Sequence, residues 1–143
     1  MGFFDRLKDT LGKKPEEEQR SAPRPTGVPA AEPEPEGIEV AEVTPAEFEA
    51  ELANGSKVMV VDVRQQWDYR ARHIPGAILM PLNSLPARYT ELPPDRDIVL
   101  YCYHGITSLD GAAFLMERGF KRVRSLSGGF TQWAVEGRPT TAD

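Results

Sequence analysis

Apolar positions cluster in short runs from residue 58 onward and are nearly absent from residues 15–36. Val58-Met59-Val60-Val61-Asp62-Val63 and Ile98-Val99-Leu100-Tyr101 are continuous, largely β-branched runs, the pattern of strands buried on both faces. Ile38–Val43 alternates apolar and acidic residues and reads as a short, half-exposed strand. Thr44-Pro45-Ala46-Glu47 has the form of a capping box with proline at the first helical position, and Asn54-Gly55 stops the helix that follows. Ala77–Met80 and Val123–Leu126 read as further strands. A helix is expected from about Ser108 to Arg118, with Gly119 as its stop. Strands alternating with helices at this spacing predict an α/β domain, three layers deep, around a central parallel sheet of about five strands.

Composition divides the chain of 143 residues. Residues 15–36 hold six prolines and six glutamates, with Val28 the one large apolar residue. Such a segment buries too little apolar surface to offset the entropy of ordering, and is expected to be a disordered linker. Before it, Phe3, Phe4, Leu7 and Leu11 of MGFFDRLKDTLGKK fall within a sector of about 100° on a helical projection. Arg6, Lys8, Lys13 and Lys14 outnumber Asp5 and Asp9 there. Residues 1–14 are therefore expected to form a short amphipathic helix, an anchor for a membrane surface or a partner's groove. Arg6, where a myristoylation signal has Ser or Thr, excludes lipidation at Gly2. Residues 37–143 then form the folded domain.

The net charge of −5 gives no footprint for nucleic acid, and none is expected as a partner. No stretch has the length of a transmembrane helix or the apolar region of a secretory signal. The expected location is the cytoplasm, with peripheral contact at the inner membrane face through residues 1–14. Cys102 is the only cysteine, so no internal disulfide can form.

The position of Cys102 carries the chemistry. It ends the run 98–101 and opens Cys102-Tyr103-His104-Gly105-Ile106-Thr107-Ser108, a loop leading into a helix. Open α/β sheets bind ligands beyond the carboxyl ends of their strands, and a helix N-terminus presents free N–H groups. A thiol held there favours its thiolate, the nucleophilic form. Gly105 suits the positive φ or close approach of a tight loop. Thr107 and Ser108 can donate hydroxyls to the sulfur but are equally ordinary N-caps, and the cap is the expected role of Ser108. Tyr103 and His104 are expected at the pocket mouth, with His104 too close in sequence to act as a base on Cys102. Asp62 is expected to order its loop, and Arg64 either faces the pocket or braces Asp62. His73 is expected to be structural, Arg70 and Arg72 to be solvated, and Gly128-Gly129 to form a tight turn before the packed aromatics Phe130 and Trp133.

Three blocks in order resemble the rhodanese-homology domains, and within them the single-domain bacterial sulfurtransferases. They are Asp62-Val63-Arg64 with Trp67-Asp68-Tyr69 and His73-Ile74-Pro75-Gly76-Ala77; the Cys102–Thr107 loop; and Ser127-Gly128-Gly129-Phe130 with Trp133. The resemblance spans about residues 38–137 and implies a thiosulfate sulfurtransferase. Cys102 takes sulfane sulfur from thiosulfate or a persulfide donor, becomes a persulfide, and passes the sulfur to a thiol or cyanide-like acceptor, with no cofactor and no metal. Tyr103, His104, Gly105, Ile106, Thr107, Ser108 and Arg64 are the implied substrate-binding residues. Tandem-domain relatives that use thiosulfate carry arginine where this chain has Asp68, and commonly glycine where it has Arg72. Two other functions are weighed against this one. A phosphatase of the same fold needs a longer loop and an arginine six positions after the cysteine, where this chain has Ser108. A non-catalytic binding or targeting module, or a persulfide carrier to a protein partner, is the alternative; retention of Cys102 separates the first of these from an enzyme.

Overall fold

The structure, a computed structural model, describes residues 38–142. The expected anchor at 1–14 and linker at 15–36 lie outside the described residues. Among the described residues no helix is long and apolar enough to cross a membrane.

Five strands form one parallel sheet: β1 (Ala41–Val43), β2 (Met59–Asp62), β3 (Ile78–Leu79), β4 (Ile98–Tyr101) and β5 (Val123–Leu126), in the order β1-β5-β4-β2-β3. The expected first strand is shorter than its alternating pattern, because only Ala41, Glu42 and Val43 find partners, in Arg124, Ser125 and Leu126. The helices are α1 (Pro45–Ala53), α2 (Gln66–Ala71), α3 (Leu85–Arg88, between two 3₁₀ turns), α4 (Thr107–Glu117) and α5 (Gly129–Val135).

The continuous apolar runs are buried on both faces, as their composition requires. Along β4, Ile98 and Leu100 join a core with Val61, Met80, Leu85, Ala112 and Leu115. Val99 and Tyr101, pointing the other way, join Val60, Phe48, Ile74, Phe130 and Trp133. All four β4 residues are fully buried. The sheet therefore separates two cores, and the central strand that ends at Cys102 is its best-covered element.

Local signals act where the sequence places them. The Thr44 hydroxyl accepts the Glu47 N–H at 3.1 Å while the Glu47 carboxylate accepts the Thr44 N–H at 3.1 Å. At the end of α4 the amides of Gly119 and Phe120 turn back to the carbonyls of Met116 and Leu115, the paired bonds of a Schellman stop. Phe48 of the capped helix packs on Trp133, ring centres 5.8 Å apart. Thr44→Ala is expected to lower stability by about 1 kcal/mol through the lost cap, read as a lower urea midpoint with unchanged slope.

Candidate active site

Strand order fixes where the site lies. After β2 the chain moves outward to β3; after β4 it moves the other way to β5. The loops leaving the adjacent strands β2 and β4 thus part at their carboxyl ends, the crevice in which open α/β sheets bind ligands. The β2 loop carries Arg64 and the β4 loop begins at Cys102.

The Cys102 side chain lies at the floor of the loop, and the residue is buried. The Gly105 N–H donates to Sγ at 3.2 Å and the Ser108 N–H at 3.3 Å, and the Ser108 hydroxyl lies 3.4 Å from the sulfur. Burial alone would push the thiol up. The Ser108 hydroxyl and the amides of Ser108, Gly105 and His104 outweigh that and hold it below the ordinary cysteine value.

One expectation is corrected here. Ser108 is not the N-cap of α4; that position falls to Ile106, which offers no side-chain acceptor, and the helix begins at Thr107. Ser108 sits in the first turn, fully buried, with its hydroxyl on the sulfur and its amide donating to it. The sulfur fills the role of a cap, accepting a helix N-terminal N–H where negative charge is favoured. Thr107 is exposed, and its hydroxyl makes no hydrogen bond to the sulfur.

The loop's curvature comes from its neighbours. Gly105 has φ +84°, and a Cβ there would lie 2.8 Å from the Gly128 amide nitrogen. The first turn of α5 holds the loop from behind: Phe130 N–H donates to the Cys102 carbonyl at 2.8 Å and Thr131 N–H to the Tyr103 carbonyl at 2.9 Å. With these carbonyls tied outward, the following amides are free to face the sulfur. The Gly128-Gly129 turn therefore also backs the loop, a role its turn chemistry alone does not reveal.

Arg64 is engaged in a buried ion pair. Its side chain is 3% exposed and forks onto the fully buried Asp62 carboxylate, Nη2 to Oδ2 at 2.8 Å and Nε to Oδ1 at 3.0 Å. Nη2 also donates to the Arg72 carbonyl at 2.7 Å. Its guanidinium lies 4.3, 4.9 and 5.4 Å from the ring centres of Phe130, Tyr103 and Tyr101. Of the two roles open to it, Arg64 takes the bracing one and supports Tyr103 from beneath. Burial opposes its charge, but the bonds to Asp62 keep it firmly protonated.

Tyr103, His104 and Ile106 form the exposed rim. The Tyr103 hydroxyl donates to Asp68 of α2, a bond that, with burial, raises the phenol above its ordinary range. The His104 ring tilts against Tyr103 and makes no hydrogen bond to the sulfur, so only its amide acts there. His73 is buried, with Nδ1 2.7 Å from the Tyr69 carbonyl and its backbone bridged to Thr141. Arg72 donates to the Thr140 hydroxyl, away from the sulfur. Ser125, which no local sequence signal singles out, is fully buried with its hydroxyl 2.7 Å from that of Ser108.

The chain has known counterparts in sequence and fold. The rhodanese-like domain family matches residues 44–136, and the chain belongs to it. A protein named sulfurtransferase from Allochromatium vinosum is 40% identical over 91 residues, covering 64% of this chain and 85% of the relative. The thiosulfate sulfurtransferase GlpE of Pseudoalteromonas translucida is 37% identical over 83 residues, covering 58% of this chain and 79% of the relative. Among solved structures, a rhodanese-related protein from Thermoplasma volcanium superposes with a TM-score of 0.67 over 72% of this chain and 99% of that one; at 23% identity the likeness is one of fold.

Proposed function

We propose that the protein is a sulfurtransferase that works through a Cys102 persulfide. The observation that carries this reading is a lone thiol ringed by the amides of its own loop and a serine hydroxyl, with no base bonded to it. Such a cradle stabilises an anion on sulfur both before and after transfer. In the first step the Cys102 thiolate attacks the outer sulfur of thiosulfate or of a persulfide donor. An S–S bond forms to Cys102 as the donor's S–S bond breaks, and the electron pair leaves with sulfite or the donor thiolate. The negative charge then sits on the terminal sulfur of the persulfide. In the second step a thiolate or cyanide attacks that terminal sulfur, and the Cys102 thiolate is released as leaving group. No net proton is required in either step when both sulfurs enter as anions.

The relatives named sulfurtransferase support this reading. The loop also argues against phosphate chemistry: Ser108 stands where a guanidinium would clamp phosphate, and Arg64 is committed to Asp62.

Incubation of the full chain with thiosulfate should add one sulfur atom to the intact mass, removable by cyanide or a thiol. Cys102→Ser should abolish the gain with the circular dichroism spectrum unchanged. Alkylation of Cys102 should rise with pH to a midpoint below the ordinary thiol value of about 8.5. No sulfur uptake from thiosulfate or from a low-molecular-weight persulfide would sink the proposal and leave a non-catalytic binding module in its place.

A further inference from the structure

We propose that Ser125 is a positioning residue for the thiolate, holding the Ser108 hydroxyl in the orientation that donates to Cys102. The inference rests on the reading of Cys102 as a thiolate nucleophile. Ser125 is on β5, two residues from Val123 and on the same face, beneath the start of α4. Ser108 and Ser125 are both fully buried, their hydroxyl oxygens 2.7 Å apart.

The argument is one of proton counting. A serine hydroxyl has one proton and two acceptor lone pairs. When Cys102 is a thiol, its S–H can donate to Ser108 Oγ, and the Ser108 proton is then free to point at Ser125. When Cys102 is a thiolate the sulfur can only accept. Ser108 must turn its proton to the sulfur, and its oxygen then faces Ser125, whose own proton completes the chain Ser125 O–H to Ser108 O–H to sulfur. Ionisation of the thiol thus requires both hydroxyls to reverse direction, and the reversed arrangement has its first donor in Ser125. Linked hydrogen bonds polarise one another, so the second hydroxyl strengthens the bond the first makes to sulfur.

The charged and titratable side chains on the surrounding elements are Glu42 of β1, in register with Ser125; Asp62 and Arg64, bound to each other; Asp110 and Glu117 of α4; His104, Tyr101 and Tyr103; and Arg124, paired with Glu51. None of them bonds to the sulfur, and all are retained in the variants below.

The test is the pH midpoint of Cys102 alkylation by iodoacetamide, followed by intact mass in the full chain, whose single cysteine makes the signal unambiguous. Ser108→Ala should raise the midpoint by about one to two pH units, the worth of a hydrogen bond to a charged group. Ser125→Ala should raise it by roughly half a unit to one unit, since it acts one bond further away. In the double variant the Ser125 change should add nothing to Ser108→Ala. An unmoved midpoint in Ser125→Ala, or its full shift on top of Ser108→Ala, would overturn the proposal. If Ser125→Ala does not fold, Ser125→Thr and Ser125→Val decide together. The first keeps the hydroxyl and should keep the wild-type midpoint; the second has the same shape without it and should raise the midpoint by roughly the same half to one unit. Equal midpoints in the two refute the role. No sulfur donor enters the measurement. Failure to take up sulfur therefore defeats the enzyme reading alone, and an unshifted midpoint defeats the Ser125 role alone.

Discussion

Gly129→Ala is expected to destabilise the domain by roughly 2–4 kcal/mol and to abolish sulfur uptake by the fraction that remains folded. Gly129 has φ +61°, and a Cβ built on it would lie 2.4 Å from the Tyr103 carbonyl oxygen and 2.6 Å from that of Cys102. Both obstacles are backbone atoms, which cannot rotate aside as the end of a side chain can. Relief must come from moving α5 away from the loop, which breaks the bonds from Phe130 and Thr131 to those same carbonyls. Without them the peptides of residues 102–104 are free to turn, and the amides no longer converge on sulfur. Urea unfolding gives the first effect and intact mass after thiosulfate treatment gives the second. An alanine variant as stable as the parent and taking up sulfur normally would show that the α5 turn does not set the loop.

Arg64→Ala should cost about 3–5 kcal/mol, because it leaves the carboxylate of Asp62 buried without its counter-charge. Asp62 would keep the backbone N–H of residue 64 at 2.9 Å, but one amide does not replace a bidentate guanidinium. Arg64→Lys should recover little, since an ammonium can neither fork onto the carboxylate nor lie flat against Phe130 and Tyr103. The paired change Asp62→Asn with Arg64→Met should recover a large part of the loss, as it removes both buried charges together. Unfolding midpoints of the single and double variants, compared in one cycle, give the coupling. If Arg64→Ala alone is as stable as the parent, the pair contributes no net stability, and the ordering role assigned to it fails.

The sheet was legible in the sequence because its strands carry the unbroken β-branched runs that burial on two faces demands, and because Thr44, Asn54 and Gly119 act within a few residues of themselves. The position of Cys102 in the site was legible for a similar reason: strand, loop and helix are contiguous. Most of what stayed hidden depends on pairs far apart in the chain. Ser108 meets Ser125 across 17 residues only because the β4–β5 register places β5 under the first turn of α4. Ser108 read as a cap because its residue type favours that position, and the buried sulfur took that place instead. Arg64 has the charge to bind an anion, and only the fold shows that its fork is already filled by Asp62. Gly129 reads as a turn residue until Tyr103 is seen against it.

Among the described residues the first strand of the sheet pairs only with the last. Ala41–Val43 finds its partners at 124–126, so about eighty residues must be made before that edge can close. During synthesis the emerging chain therefore holds β1 in waiting, and α5, which ties back the carbonyls of Cys102 and Tyr103, leaves the ribosome later still. A chain cut short before residue 123 lacks both Ser125 and the α5 amides that hold the carbonyls of Cys102 and Tyr103.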